Sequence, residues 1–312
     1  MGGFKTKFRI IKTSHNARKE LRDALRPHEN SLLTEINLLL DRARLLLKQK
    51  TQYSDFVLIL DNLEKIRKVS GKDESSSLEF LFVGSAYQLG GMAAHTVLTL
   101  PLSLVRSHIG GEWKQLYGCE PFVLPMVKVH PRNETSHYEP GWTALKALLQ
   151  KRLDLMPNSP KLSWNEVFNE NATNLLIEAS GGDVRTLMYF IQEAITEEDQ
   201  APVTHKSAFT AIGGTARTFA SSVRHWDKLV QLAEMTDPRI PNNDPDYLEL
   251  LRQGAILEYI NGSNEEEGEA VGLEGLLLDE VTPWYAVHPI VKQLPQFKTA
   301  RQNREKPLEL PE

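Results

Sequence analysis

Apolar residues return along this chain in two rhythms. In "NSLLTEINLLLDRARLLLKQK", Leu32, Leu33, Ile36, Leu39, Leu40, Ala43 and Leu47 recur at three- and four-residue steps, which predicts an amphipathic helix. Asn30 or Ser31 is its expected N-cap, and Lys48 and Lys50 sit where the helix dipole favours cations. "FVLIL", residues 56–60, is an unbroken apolar run too short for a helix. It predicts a strand covered on both faces, the habit of parallel sheets. "HTVLTLP" and "PFVLPMVKV" predict a second and a third strand, with Pro101 closing one and Pro125 placing the other at an edge or bulge. "SLEFLFVGSAYQLGGM" predicts a helix among them. Earlier in the chain, "FKTKFRIIK" alternates like a strand and "SHNARKELRDAL" reads as a capped helix ended by Pro27.

The rhythm changes after "HPRNETSHYEPG". "GWTALKALLQKRLDL", "NEVFNENATNLLIEASGG" and "DVRTLMYFIQEAITEED" follow as helices, and "TDPRIPNNDPD" breaks the chain again. Beyond it, "DYLELLRQGAILEYIN", an acidic loop and "PWYAVHPIV" read as a helix followed by two short strands around that polar loop. The expected organisation is therefore an α/β core over 1–135, a helical domain over 136–236, and a small helix-and-hairpin module over 237–312. Strands alternating with helices in the first part indicate parallel crossovers.

Composition narrows the classes. The hydrophobic fraction of 41% and charged fraction of 25% are those of a folded globular chain. A net charge of −5 argues against a protein that coats nucleic acid by bulk electrostatics. The single cysteine, Cys119, cannot form an internal disulfide, which fits a reducing, cytoplasmic setting. No apolar run is long enough to predict a membrane span, and the N-terminus carries no signal-peptide pattern.

The chemistry gathers at "FVLILDNLEKI". A Mg²⁺ bound to nucleotide phosphates wants one or two carboxylates and keeps several waters. A carboxylate at the carboxyl end of a parallel strand stands where ligands bind in open α/β sheets. Asp61 fits that role. Glu64, three residues on, could activate a water, and Asn62 could position one but cannot take its proton. Asp61 or Asn62 capping a helix, with Glu64 on a solvated face, is the plain alternative. Thr99 supplies a hydroxyl in the neighbouring apolar strand. In "SGGDVRTLMYFIQEAI", Arg185 opens a helix behind two glycines, with a guanidinium suited to phosphate.

Together these three stretches resemble the P-loop NTPases of the AAA+/STAND group. "FVLILDNLEKI" is similar to a Walker B strand, "HTVLTLPLSLV" to the next core strand with its sensor 1 residue at Thr99, and "SGGDVRTLMYFIQEAI" to the sensor 2 helix of the lid with Arg185. "YLELLRQGAILEYIN" with "WYAVHPIV" resembles the winged-helix module appended to such ATPases. The resemblance implies an incomplete P-loop NTPase-like parallel-sheet core, a helical lid and a winged-helix-like module. It implies ATP and Mg²⁺ as cofactors, with Asp61 on the metal, Glu64 and Asn62 in catalysis, and Thr99 and Arg185 on the nucleotide. Two departures matter. No G-x-x-x-x-G-K-[ST] phosphate loop occurs, and "VSGKDESSS" puts Asp73 where Ser or Thr is needed. Asn62 stands where the STAND pattern has Asp.

The expectation is thus an ATPase-type chain that is weak or inactive alone. It would be a fragment, a subunit whose P-loop comes from another polypeptide, or a degenerate scaffold. Expected partners are a P-loop-bearing protein or further copies of this chain, with a protein contact through the C-terminal module. A non-enzymatic interaction subunit on the same fold is the alternative. A DNA-binding winged helix, reading through Arg252, is a second alternative, disfavoured by the acidic wing "NGSNEEEGE".

Overall fold

The computed structural model describes residues 28–63, 77–132, 136–156, 162–198, 200–241, 243–260 and 283–305. The early strand and helix read from 4–25, Glu64 and the acidic wing lie outside the described residues. The chain forms two compact units: the described residues of Met1–Val105 with Ile109–Pro121, and those of Arg106–His108 with Phe122–Glu312.

The first unit opens with α1 (Glu29–Lys50). Its half-buried stripe is Leu33, Ile36, Asn37, Leu40, Arg44 and Leu47, which keeps the helical spacing. Its cap differs from expectation. His28 is the N-cap and bonds nothing with its side chain, while Asn30 lies inside the first turn, its carbonyl accepting from Thr34 Oγ1 at 3.0 Å. Polar groups, more than leucines, fasten this helix. Asn37 donates to the Gly91 carbonyl at 3.0 Å and accepts from the Ala93 N–H at 2.7 Å. Arg44 donates to the Ala93 carbonyl at 2.6 Å and pairs with Asp55 at 3.0 Å.

Strand β1 (Val57–Leu60) leads on to α2 (Ala86–Gly90), β2 (His95–Leu98), α3 (Leu102–Val105) and α4 (Trp113–Tyr117). The segment before α2 is helical from Ser77 but widens into a π-helical turn over Phe80–Gly84. Tyr117 donates to the Phe82 carbonyl inside that turn at 2.6 Å. Leu78, Phe82, Leu104, Ile109 and Trp113 form the buried core of the unit. β1 and β2 pair in parallel, with Val57 opposite His95 and Leu60 opposite Leu98. Only alternate residues are covered. Val57, Ile59 and Val97 keep 56%, 64% and 50% of their surface exposed, so the cover expected on both faces stands on one.

The expected third strand is not one. Residues 121–129 take no regular form and belong to the second unit for all but Pro121. Pro121 and Pro125 remove two ladder donors, and the remaining groups find scattered partners. Met126 N–H donates to Glu258, Val127 N–H to Gly182, and the Val129 carbonyl accepts from Tyr138 N–H and Trp142 Nε1. The approach is so close that a Cβ on Gly182, itself at φ +79°, would lie 1.7 Å from the Val127 carbonyl oxygen. One on Gly141 would meet the Lys128 carbonyl oxygen at the same distance.

The second unit continues with α5 (Glu139–Asp154), α6 (Trp164–Val167), α7 (Glu170–Ser180), α8 (Val184–Thr196) and α9 (His205–Ser222). α7, α8 and α9 pack on one another through buried Leu176, Ile177, Leu187, Phe190, Ala208 and Ala211. Asn169, Asp183 and Thr204 cap these three helices with their side chains, so the starts are set locally. Then come α10 (Trp226–Glu234), α11 (Pro245–Arg252), the antiparallel pair β3 (Ile256–Ile260) and β4 (Pro283–Val287), α12 (Pro289–Gln293) and α13 (Pro295–Glu305).

Glu258, in the middle of β3 and opposite Tyr285, is only 1% exposed. Arg106 grips its carboxylate through two nitrogens, at 2.9 and 2.5 Å. That carboxylate raises the Arg106 pKa above its usual value. His288 caps α12, its Nδ1 accepting from the Ile290 N–H at 3.2 Å. It is buried against Phe219, and burial pulls its pKa down to about 4.

Arg106→Met should cost about 3–5 kcal/mol in denaturant unfolding, because it strands a buried carboxylate. Combining it with Glu258→Leu should recover most of that loss, and a double variant as unstable as the single would refute the pairing. His288 has its own pH signature. Its folded pKa of about 4 lies below the unfolded value near 6.5, so the unfolded chain takes the proton first. Stability should therefore be full above about pH 6.5 and decline by roughly 3 kcal/mol as pH falls to about 4. Urea titrations of the native chain and His288→Asn, compared across that window, should diverge accordingly.

Candidate functional site

The carboxyl ends of β1 and β2 bring two expected site residues side by side. Because Leu60 opposes Leu98, the next positions, Asp61 and Thr99, are neighbours. Thr99 N–H reaches the Leu60 carbonyl at 3.3 Å and carries the pairing one step past the strands. The chain then turns at Asn62, whose φ of +64° is a left-handed value that Asn tolerates better than most residues. The turn is held from both sides. Asp61 Oδ1 accepts the Asn62 N–H at 2.7 Å, and its Oδ2 accepts from Asn62 Nδ2 at 3.1 Å. The Thr99 hydroxyl accepts the Leu63 N–H at 3.2 Å.

This arrangement gives each residue a definite capacity. Asp61 is exposed, and each of its carboxylate oxygens holds one donor while retaining acceptor capacity for a cation or a water. Asn62 spends its amide on Asp61, which orients the carboxylate. Thr99 is half-buried and serves as the clasp that fixes the turn after Asp61. Glu64 lies just beyond, outside the described residues. Arg185 belongs to the other unit. It is the second residue of α8, its side chain is exposed, and its N–H donates to the Asp183 cap at 3.0 Å.

A water-rich Mg²⁺ fits one exposed carboxylate beside a hydroxyl, since that ion takes few protein ligands when phosphates supply the rest. An all-protein metal centre does not fit. Among the described residues no group of three or more His, Cys, Asp or Glu side chains could hold a metal.

Several polar groups escaped the reading of the sequence. "HPRNETSH" looked like a boundary, yet His130 bonds the Glu178 carboxylate through Nε2 at 2.7 Å and the Ser136 carbonyl through Nδ1 at 2.7 Å. The Glu178 hydrogen bond raises the His130 pKa. Lys128 lies over the Tyr138 ring at 4.6 Å, and desolvation lowers its pKa to about 8. Nothing in local spacing announces the His130–Glu178 contact, because the partners lie 48 residues apart in the chain.

Comparison of the chain with protein-family models, curated proteins and solved structures returned no match. Among the described residues no helix is long and apolar enough to cross a membrane.

Thr99→Val should leave the Leu63 N–H without its acceptor and cost about 1 kcal/mol. Amide exchange at Leu63 should quicken in that variant, while Thr99→Ser should restore protection. Unchanged exchange in Thr99→Val would show that the clasp is immaterial.

Proposed function

We propose that the β1–β2 pair is one half of a Mg²⁺–nucleotide site of the AAA+/STAND kind, completed by a phosphate-binding loop that does not occur within residues 1–312. The observation that carries this reading is the adjacency of Asp61 and Thr99 at the carboxyl ends of two parallel, hydrogen-bonded strands. That is where an open α/β sheet receives its ligand. In this reading Asp61 holds Mg²⁺ directly or through water, and Thr99 contacts the γ-phosphate or its water. Asn62 orients Asp61 and can position a water, and Glu64 supplies the proton acceptor. Backbone N–H groups and the lysine of a P-loop do most of the phosphate binding in such sites, so this chain alone should bind ATP weakly and turn it over little.

A specific observation also favours a non-enzymatic, interaction role on the same fold. Val57, Ile59 and Val97 on the strands, and Leu39, Leu45 and Leu46 on α1, are exposed apolar residues in one unit. Parallel strands are ordinarily covered on both faces, and such a surface suits a protein partner. The DNA-binding reading has less support. Glu249 engages the Arg252 guanidinium at 2.7 and 2.5 Å, which neutralises the charge that would meet phosphate.

Calorimetric titration of the chain with ATP and Mg²⁺ tests the proposal. Binding weaker than about 0.1 mM, dependent on Mg²⁺ and lost in Asp61→Ala, is the expected result. No binding sensitive to Asp61→Ala would discard the nucleotide site and leave the interaction role. Rapid Mg²⁺-dependent turnover by the chain alone would overturn the requirement for a separate P-loop.

A further inference from the structure

Helix α1 carries a second apolar stripe beside the one its own unit half covers. Leu32, Ile36, Leu39, Ala43 and Leu46 follow one another at steps of four, three, four and three residues. That is the heptad spacing of a coiled-coil seam, with the leucines at the d positions and Ile36 and Ala43 at the a positions. Seven residues return a helix to within about 20° of the same face, so the three leucines stand almost in line. Leu32, Leu39 and Leu46 keep 59%, 66% and 48% of their surface exposed, Ala43 is exposed and Ile36 is half-buried. On one side of the seam, at the e positions, lie the half-buried Leu33, Leu40 and Leu47. On the other side, at the g positions, stand Glu35 and Arg42. Both are exposed, and neither has an ion-pair partner among the described residues.

We propose that this seam receives the α1 helix of a second copy of the chain, running antiparallel. Self-complementarity selects that occupant. In an antiparallel coiled coil each a residue packs beside a d residue of the other helix, and g positions face g positions. The register that sets Ile36 against Leu39 of the other copy also sets Ala43 against Leu32, so a small side chain meets a large one. The same register brings Glu35 of each copy to Arg42 of the other, and two-fold symmetry makes every such pairing occur twice. A parallel pair would stack Ala43 on Ala43 and leave Glu35 and Arg42 facing Leu40 and Leu47, so it would use neither the sizes nor the charges. Because α1 is already folded against its own unit, association does not have to order it. The inference rests on the interaction reading of the exposed apolar surface, whose partner it names. It uses none of Asp61, Asn62 or Thr99.

Sedimentation equilibrium of the full chain at low salt tests this. The chain should be largely dimeric at about 100 µM. Glu35→Arg and Arg42→Glu should each weaken the dimer roughly tenfold or more, because each turns attractive pairs into repulsive ones. An equimolar mixture of those two variants should form a heterodimer of native affinity, and the double variant should dimerise by itself. Both positions are exposed, and rescue by mixing shows that the variants are folded. A native chain that stays monomeric at that concentration overturns the proposal. A dimer indifferent to both charge changes overturns it too, as do single variants that mixing does not rescue. Binding of the apolar dye anilinonaphthalene sulfonate separates this failure from that of the interaction reading. A monomer that binds the dye, and binds less in Leu39→Asp and Ile59→Lys, keeps its apolar surface for a different protein. A monomer that binds none loses both readings.

Discussion

A carboxylate shut away from water organises the second unit. Glu258 sits mid-strand with 1% of its surface exposed, and a charge so placed is tolerable only with a partner and hydrogen bonds. Arg106 supplies the partner, so the stretch Arg106–His108 is held at β3. The backbone of the same residue accepts Met126 N–H, so the irregular segment before α5 is held there too. Next along the strand, Tyr259 stacks on Trp284 and donates to the Gly181 carbonyl at 2.6 Å, reaching the turn between α7 and α8. Side chain, backbone and neighbour thus bind three distant parts of the chain at one short antiparallel strand pair.

The other unit is built on a different principle. Its small core is apolar, but α1 and the approach to β2 are joined by Asn37 and Arg44 bonding backbone groups at residues 91 and 93. Such contacts orient well and add little free energy, about 1 kcal/mol each. The strand pair they support has four residues per strand and exposed apolar residues on one face. The pair therefore presents two surfaces of different character: a polar, hydrogen-bonded turn at Asp61–Leu63, and an apolar face carrying Val57, Ile59 and Val97.

What the sequence disclosed follows from the range of the forces involved. Strands β1 and β2 and helix α1 were legible because periodicity is local, although the cap of α1 fell at His28 and not at Asn30 or Ser31. Thr99 was expected inside the second strand, with Pro101 closing it, whereas that strand ends at Leu98 and Thr99 stands one residue past it. The fate of 121–129 was not legible, because its partners Gly182 and Glu258 lie far along the chain. "ILEYI" gives no sign that its glutamate points inward, since the guanidinium that permits it is Arg106.

The uncovered face of β1 and β2 also bears on the life of the chain in a cell. Chaperones and proteases recognise exposed apolar segments and open strand edges. A copy that displays Val57, Ile59 and Val97 carries a mark of incompleteness. Whatever shields those residues would protect the chain from degradation, so the supply of that shield would set how many copies persist. Abundance, and not only activity, would then be written into four residues on each of two strands.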